Sequence, residues 1–130
     1  MSRGLVDTAI FIAQEQARSL GEMPTELSVS VVTIGELELG VLTATDTGTR
    51  ARRADTLALA RAADPIPVSE AVMGAFARLV HDCRRVDLRP RILDALIAAT
   101  AVQHGLPVVT QDDDFSAMAA AHPQLEVLLV

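Results

Sequence analysis

The 130-residue sequence has no lysine, no tryptophan and no tyrosine, and it holds only three phenylalanines and one cysteine. Each scarcity removes a class of function. Without tryptophan or tyrosine, the chain lacks the aromatic platforms on which many single-strand binders stack bases. The lone thiol, Cys83, can make no internal disulfide and has no cysteine partner for a metal site, so it reads as a small core side chain. All 11 basic residues are arginine, against 17 acidic ones, giving a formal net charge of -6. A protein that held nucleic acid by broad electrostatics alone would be basic, so any polyanion handled here needs positive charge from another source. No apolar run approaches the roughly 20 residues that cross a bilayer. The opening MSRGLVDTAI also lacks the long apolar stretch of an export signal. A soluble, cytoplasmic protein with no membrane partner is expected, and the length suits a single domain over residues 1–130.

What the sequence does have is alternation. Short β-leaning pieces fall at residues 4–6, 27–30, 65–68, 106–109 and 125–130. Alanine- and leucine-rich stretches with helical spacing run over 8–20, 31–44, 47–63, 69–86 and 90–104. This rhythm predicts an α/β fold with a mainly parallel, five-stranded sheet, because parallel strands need a crossover helix to return to the same end. Ser69 is placed to cap a helix, Pro90 to occupy the first turn of the next, and Gly105 to end it. The polar segment 43–49 is expected to join two helices as a hairpin.

Most acids lie in polar company and read as solvated, including Glu15, Glu22, Glu26, Asp46, Asp55, Asp82 and Asp87. Four places differ. Asp7 directly follows the apolar piece GLV, Glu36 lies within VVTIGELELGV, Asp94 sits in PRILDALIAATA, and Asp112 to Asp114 follow PVVT. A carboxylate drawn out of water costs several kcal/mol unless it is paired, hydrogen-bonded or bound to a cation. Arg89 and Arg91 offer Asp94 a salt bridge, which is the competing explanation at that position. In a parallel α/β sheet, residues just past a strand gather at one edge with the first turns of the following helix. Asp7, Glu36 and the 112–114 run satisfy that topology, whereas Asp94 is expected to reach the same edge only if its helix runs in a reversed sense. Gly35, Gly40, Ala95, Ala98 and Ala99 leave room for close backbone approach. Oxygen ligands with no histidine or cysteine suit Mg2+ or Mn2+ rather than zinc. Such an ion would relieve the mutual repulsion of the acids and bring the missing positive charge to a phosphodiester, which points to metal-assisted hydrolysis.

LVDT at 5–8, IGELELGV at 34–41, DALIAATA at 94–101 and VVTQDDDF at 108–115 resemble, in order, the four acidic signatures of PIN-domain nucleases, most nearly the VapC-type toxins of bacterial toxin–antitoxin pairs. The resemblance covers the whole chain. It implies a three-layer α/β/α sandwich and a Mg2+- or Mn2+-dependent endoribonuclease, commonly a homodimer, held inactive by a VapB-type antitoxin. Position by position, it implies that Asp7, Glu36 and Asp94 are the principal metal-binding and catalytic acids. Asp112 matches the fourth, Asp114 matches an additional metal ligand, and Thr8 and Thr110 match supporting hydroxyls. Three consecutive aspartates leave the choice between Asp112 and Asp114 open, with Asp113 expected to face solvent.

Among the arginines, Arg89 and Arg91 are the favoured RNA contacts because they flank Asp94, while Arg50, Arg52, Arg53, Arg84 and Arg85 also read as an ordinary solvated surface. His81, His104 and His122 share no metal or triad spacing and read as structural. A phosphotransferase would want a second acid two residues after Asp7, where Ala9 stands, and a receiver domain would want a lysine. The remaining alternative is a non-catalytic module of the same fold that binds RNA or a protein.

Overall fold

The computed structural model describes residues 2–130. Along the chain run β1 (Arg3–Val6), α1 (Thr8–Glu15), β2 (Glu26–Ser28), α2 (Val31–Leu42), α3 (Thr47–Arg61), α4 (Glu70–Arg85), α5 (Ile92–Gln103), β3 (Val108–Thr110), α6 (Asp114–Ala121) and β4 (Val127–Leu129). The strands pair in the order β2-β1-β3-β4, and every pairing is parallel. Leu5 lies opposite Ser28 on one side and Val108 on the other.

Strand periodicity divides the interior into two layers. Leu5 and Val108 point to one face, where they pack with Leu79, Ile97, Phe115 and Met118. Their neighbours Val6 and Val109 point to the other face and pack with Ile10, Phe11, Val29, Leu37 and Leu57. Helices α4, α5 and α6 cover the first face and α1, α2 and α3 the second, so the expected three-layer sandwich forms. Gly4 is required where it stands, because a Cβ there would lie 2.5 Å from Cγ2 of Val109.

The sheet has four strands rather than the expected five. At 65–68 the chain makes a single parallel bridge, Ser30 to Ile66, with Ile66 N–H donating to the Val29 carbonyl and Val31 N–H to the Ile66 carbonyl. Pro65 and Pro67 lack the N–H groups that would extend this rung into a ladder. The first helix stops at Glu15, well before residue 20, because Ala17 turns left-handed at φ 55 and the Arg18 N–H closes on the Ala13 carbonyl at 2.8 Å. Pro90 falls outside α5, whose N-cap position is Arg91. Helix α6 was not anticipated from the sequence. The segment joining the packed pair α2 and α3 is 43–46, since residues 47–49 of the expected 43–49 loop already belong to α3. Ser69 accepts the Val72 N–H as the cap of α4, and Gly105 ends α5 at φ +64. Gly35, however, has open space where a Cβ would stand, and a Cβ on Gly40 would meet only ordinary contact, so neither glycine serves a close approach.

Candidate active site

The strand order turns about β1. From β1 the chain goes first to β2 on one flank and later to β3 on the other, leaving a crevice beyond their carboxyl ends. Asp7 sits at that point. Its backbone is extended, its side chain caps nothing in α1, and it is only 4% exposed, so the carboxylate is directed into the crevice rather than spent on the helix. Oδ2 accepts a 2.9 Å hydrogen bond from the Thr110 hydroxyl at the end of β3. Thr110 Oγ1 in turn accepts the Asp112 N–H at 2.9 Å, so one threonine orders two of the acids.

On the other flank, the Thr8 hydroxyl donates to Glu36 Oε1 at 2.7 Å and lies 3.0 Å from the hydroxyl of Thr33. Thr33 is fully buried one turn before Glu36 on α2, and it escaped the sequence reading because a threonine among valines looks like ordinary packing. Ser30 starts α2 by accepting the Val32 N–H, which sets the rotation that brings half-buried Glu36 to Thr8.

Asp94 lies in the first turn of α5 and is 7% exposed. It needs no reversed helix. A helix that leads into a parallel strand runs antiparallel to it, so its first turn already lies at the strands' carboxyl edge. Burial raises the Asp94 carboxyl above its ordinary value against the opposing pull of Arg91, and the charges of Glu36, Asp112 and Asp114 raise it further. The Arg91 contact is at the limit of an ion pair, 4.0 Å, from a side chain 70% exposed. Such a pair contributes little and leaves Asp94 uncompensated. Arg89 pairs instead with Asp87 at 3.7 Å.

Asp7 is the most perturbed of the acids. Burial pushes its carboxyl up to about 6; the Thr110 hydrogen bond opposes this, and the nearby charges of Asp94 and Glu36 add to it. Asp112 spends Oδ1 on the Asp114 N–H at 3.1 Å, starting α6, while Asp113 and Asp114 are exposed. Asp94 and Asp114 share a cleft with Arg89 and Arg91. Mutual charge links Asp7 with Asp94 and Glu36, and Asp94 with Asp112 and Asp114, although among the described residues no three of them are closed up as a ready cage for an ion. The donor set is all oxygen, buried at its centre and mutually repulsive, which fits a hard divalent cation.

The histidines stay outside the crevice. His122 is buried with Nδ1 2.8 Å from Asp82 Oδ2, pinning the end of α6 to α4. Several acids read as solvated are engaged: Asp82 by His122, Glu15 by the Thr56 hydroxyl at 2.8 Å, Asp46 by the N–H and hydroxyl of Thr49, Glu26 by Arg3 and Asp87 by Arg89.

Comparison with known proteins bears on this arrangement. The PIN domain family matches residues 5–121. Ribonuclease VapC8 of Mycobacterium tuberculosis is 59% identical over 100 residues, which span 75% of this chain and 89% of that protein. Ribonuclease VapC4 of the same organism is 45% identical over 130 residues, 98% of this chain and 97% of that one. The crystal structure of VapBC-5, a member of the VapBC family of toxin-antitoxin systems from Mycobacterium tuberculosis, superposes with a TM-score of 0.88 at 37% identity, covering 100% of both chains.

Proposed function

This chain belongs to the PIN-domain family, and from that membership and the geometry of its acids we propose that it is a Mg2+- or Mn2+-dependent endoribonuclease. It acts as the toxin of a toxin–antitoxin pair, with residues 1–130 working as one cytoplasmic nuclease unit. The supporting observation is the buried Asp7 carboxylate, held by Thr110 and facing Asp94 and Glu36 without a basic partner of its own among the described residues. A scaffold that only bound RNA would gain nothing from so costly an anionic crevice.

In this reading Asp7, Glu36, Asp94 and Asp112 would hold the ion, with Asp114 as a further ligand. When bound, the divalent ion supplies positive charge at the phosphodiester and favours ionisation of an attacking water. Thr110 orients Asp7, and Thr8 orients Glu36, so that the oxygens stay aimed at the crevice. Arg89 and Arg91, both exposed beside the cleft that holds Asp94, contact phosphates along the strand. The similar VapBC-5 belongs to a family of toxin-antitoxin systems, and a VapB-type antitoxin is the proposed inhibitor here, acting on a homodimer.

The test is incubation with RNA in Mg2+ or Mn2+ and in EDTA. The expected result is cleavage with either metal that EDTA stops and that Asp7→Ala or Asp94→Asn abolishes. Cleavage that survives all three would sink the reading, and metal-dependent binding without cleavage would favour the non-catalytic module.

A further inference from the structure

A buried hydroxyl stands behind Glu36. Thr33 is 0% exposed and lies one turn before Glu36 on α2. A threonine inside a helix ordinarily returns its hydroxyl to a carbonyl of the preceding turn, as Thr100 does to Leu96 at 2.8 Å. At Thr33 those carbonyls are already engaged. The Ser30 carbonyl accepts the N–H groups of Thr33 at 3.0 Å and of Ile34 at 3.4 Å, and the Val29 carbonyl accepts the Ile66 N–H at 2.8 Å. Among the described residues the Thr33 hydroxyl finds its partner across the helix boundary instead, in the hydroxyl of Thr8 at 3.0 Å.

The number of hydrogens settles the direction of that contact. A hydroxyl has one hydrogen to donate and two lone pairs with which to accept. Thr8 gives its hydrogen to Glu36 Oε1 at 2.7 Å. Toward Thr33 it can then only accept, so Thr33 is the donor. The order runs from Thr33 to Thr8 to Glu36. Donation to an oxygen that is itself donating strengthens the second bond, and here the second bond ends on a carboxylate. Without the Thr33 hydroxyl, Thr8 would keep an unpaired acceptor and lose the contact that holds its oxygen in the rotamer facing Glu36.

Resting on the nuclease reading, we propose that Thr33 is a positioning residue of the metal site, whose buried hydroxyl holds Thr8 in place and through it aims Glu36 at the ion. Thr33 touches neither the ion nor RNA. Thr8 opens α1 directly after Asp7, and Thr33 and Glu36 both stand on α2, so this side-chain relay also sets how far apart the two acids lie. Groups that hydrogen-bond the ligands of a metal typically change its affinity tenfold to a hundredfold when removed, roughly the range to look for here.

The experiment measures Mn2+ binding by isothermal titration calorimetry on the whole chain, with RNA cleavage followed in parallel. Threonine and valine match in shape and differ by the hydroxyl, and serine and alanine form a second such pair, so the comparison stands even where one variant fails to fold. Thr33→Val and Thr33→Ala are expected to weaken Mn2+ binding roughly tenfold, whereas Thr33→Ser stays within about twofold of the wild type. Cleavage at limiting Mn2+ should fall in step and recover in excess Mn2+, with KM for RNA unchanged. On a Thr8→Val background, Thr33→Val should add no further loss, because the link it acts through is gone. Unchanged Mn2+ affinity in the variants without the hydroxyl would reduce Thr33 to packing and overturn the proposal. So would equal losses in Thr33→Ser and Thr33→Ala, or a full further loss on the Thr8→Val background. A wild-type chain that binds Mn2+ yet cleaves no RNA sinks the nuclease reading separately, because Mn2+ affinity is read without turnover.

Discussion

Asp7 carries a stability consequence as well as a chemical one. Its folded carboxyl is raised to about 6 from an ordinary 3.8, so the unfolded chain releases its proton more readily than the folded one does. The resulting stability is fully present below the unfolded value and is lost as pH rises through about 6. The shift corresponds to about 2–3 kcal/mol in the metal-free protein at neutral pH. Asp7→Asn should therefore raise the melting temperature of the metal-free protein by several degrees at pH 7.5, with the gain vanishing below pH 4, while abolishing cleavage; thermal melts across that range check it. Asp7 and Asp94 were legible in the sequence because a charge among apolar residues is improbable without a cause. The hydroxyls that organise them were less so. Thr8 and Thr110 came only through family resemblance, and Thr33 was missed, since a threonine in an apolar run gives no sign of what its hydroxyl meets. Arg89 read as a partner for Asp94, yet its nearer acid is Asp87, because Pro90 stands between it and α5.

Two helix ends make a matched pair of tests. α1 ends through Ala17 in the left-handed region at φ 55, and α5 ends through Gly105 at φ +64. A side chain there costs about 1 kcal/mol that glycine avoids. Ala17→Gly should stabilise, and Gly105→Ala, with no neighbour within 4 Å of the added Cβ, should destabilise by a similar amount in urea titrations. The start of α2 joins stability to chemistry. Ser30 is fully buried and caps Val32, so Ser30→Ala should cost about 1–2 kcal/mol. It should also lower kcat on RNA by loosening the turn that presents Glu36. The alternation of pieces revealed the elements, and their ends were harder to place. Residues 65–68 read as a strand although Pro65 and Pro67 leave room for only a single bridge, and α6 was hidden by the aspartates at its start, which drew attention as ligands while one of them, Asp112, also accepts the Asp114 N–H where the helix begins.

At the scale of the whole molecule, the crevice lies where the sheet order reverses, and the two interior layers meet the acids from opposite sides. The proposed ion would link α1, α2, α5 and the start of α6 to the folded state. At Mg2+ a hundredfold above its Kd the folded chain should gain about 2.7 kcal/mol. Calorimetry should show this gain in the wild type and its loss in Asp94→Asn. The hydrogen bond from Thr110 to Asp7 spans 103 positions of the chain. A nascent polypeptide broken off before β3 would already hold Asp7, Glu36 and Asp94 yet have neither the latch nor the neighbouring strand that set them. The acids at the head of the chain would then stay unset until β3 is made, because the strand that carries Thr110 is also the one that leads into Asp112.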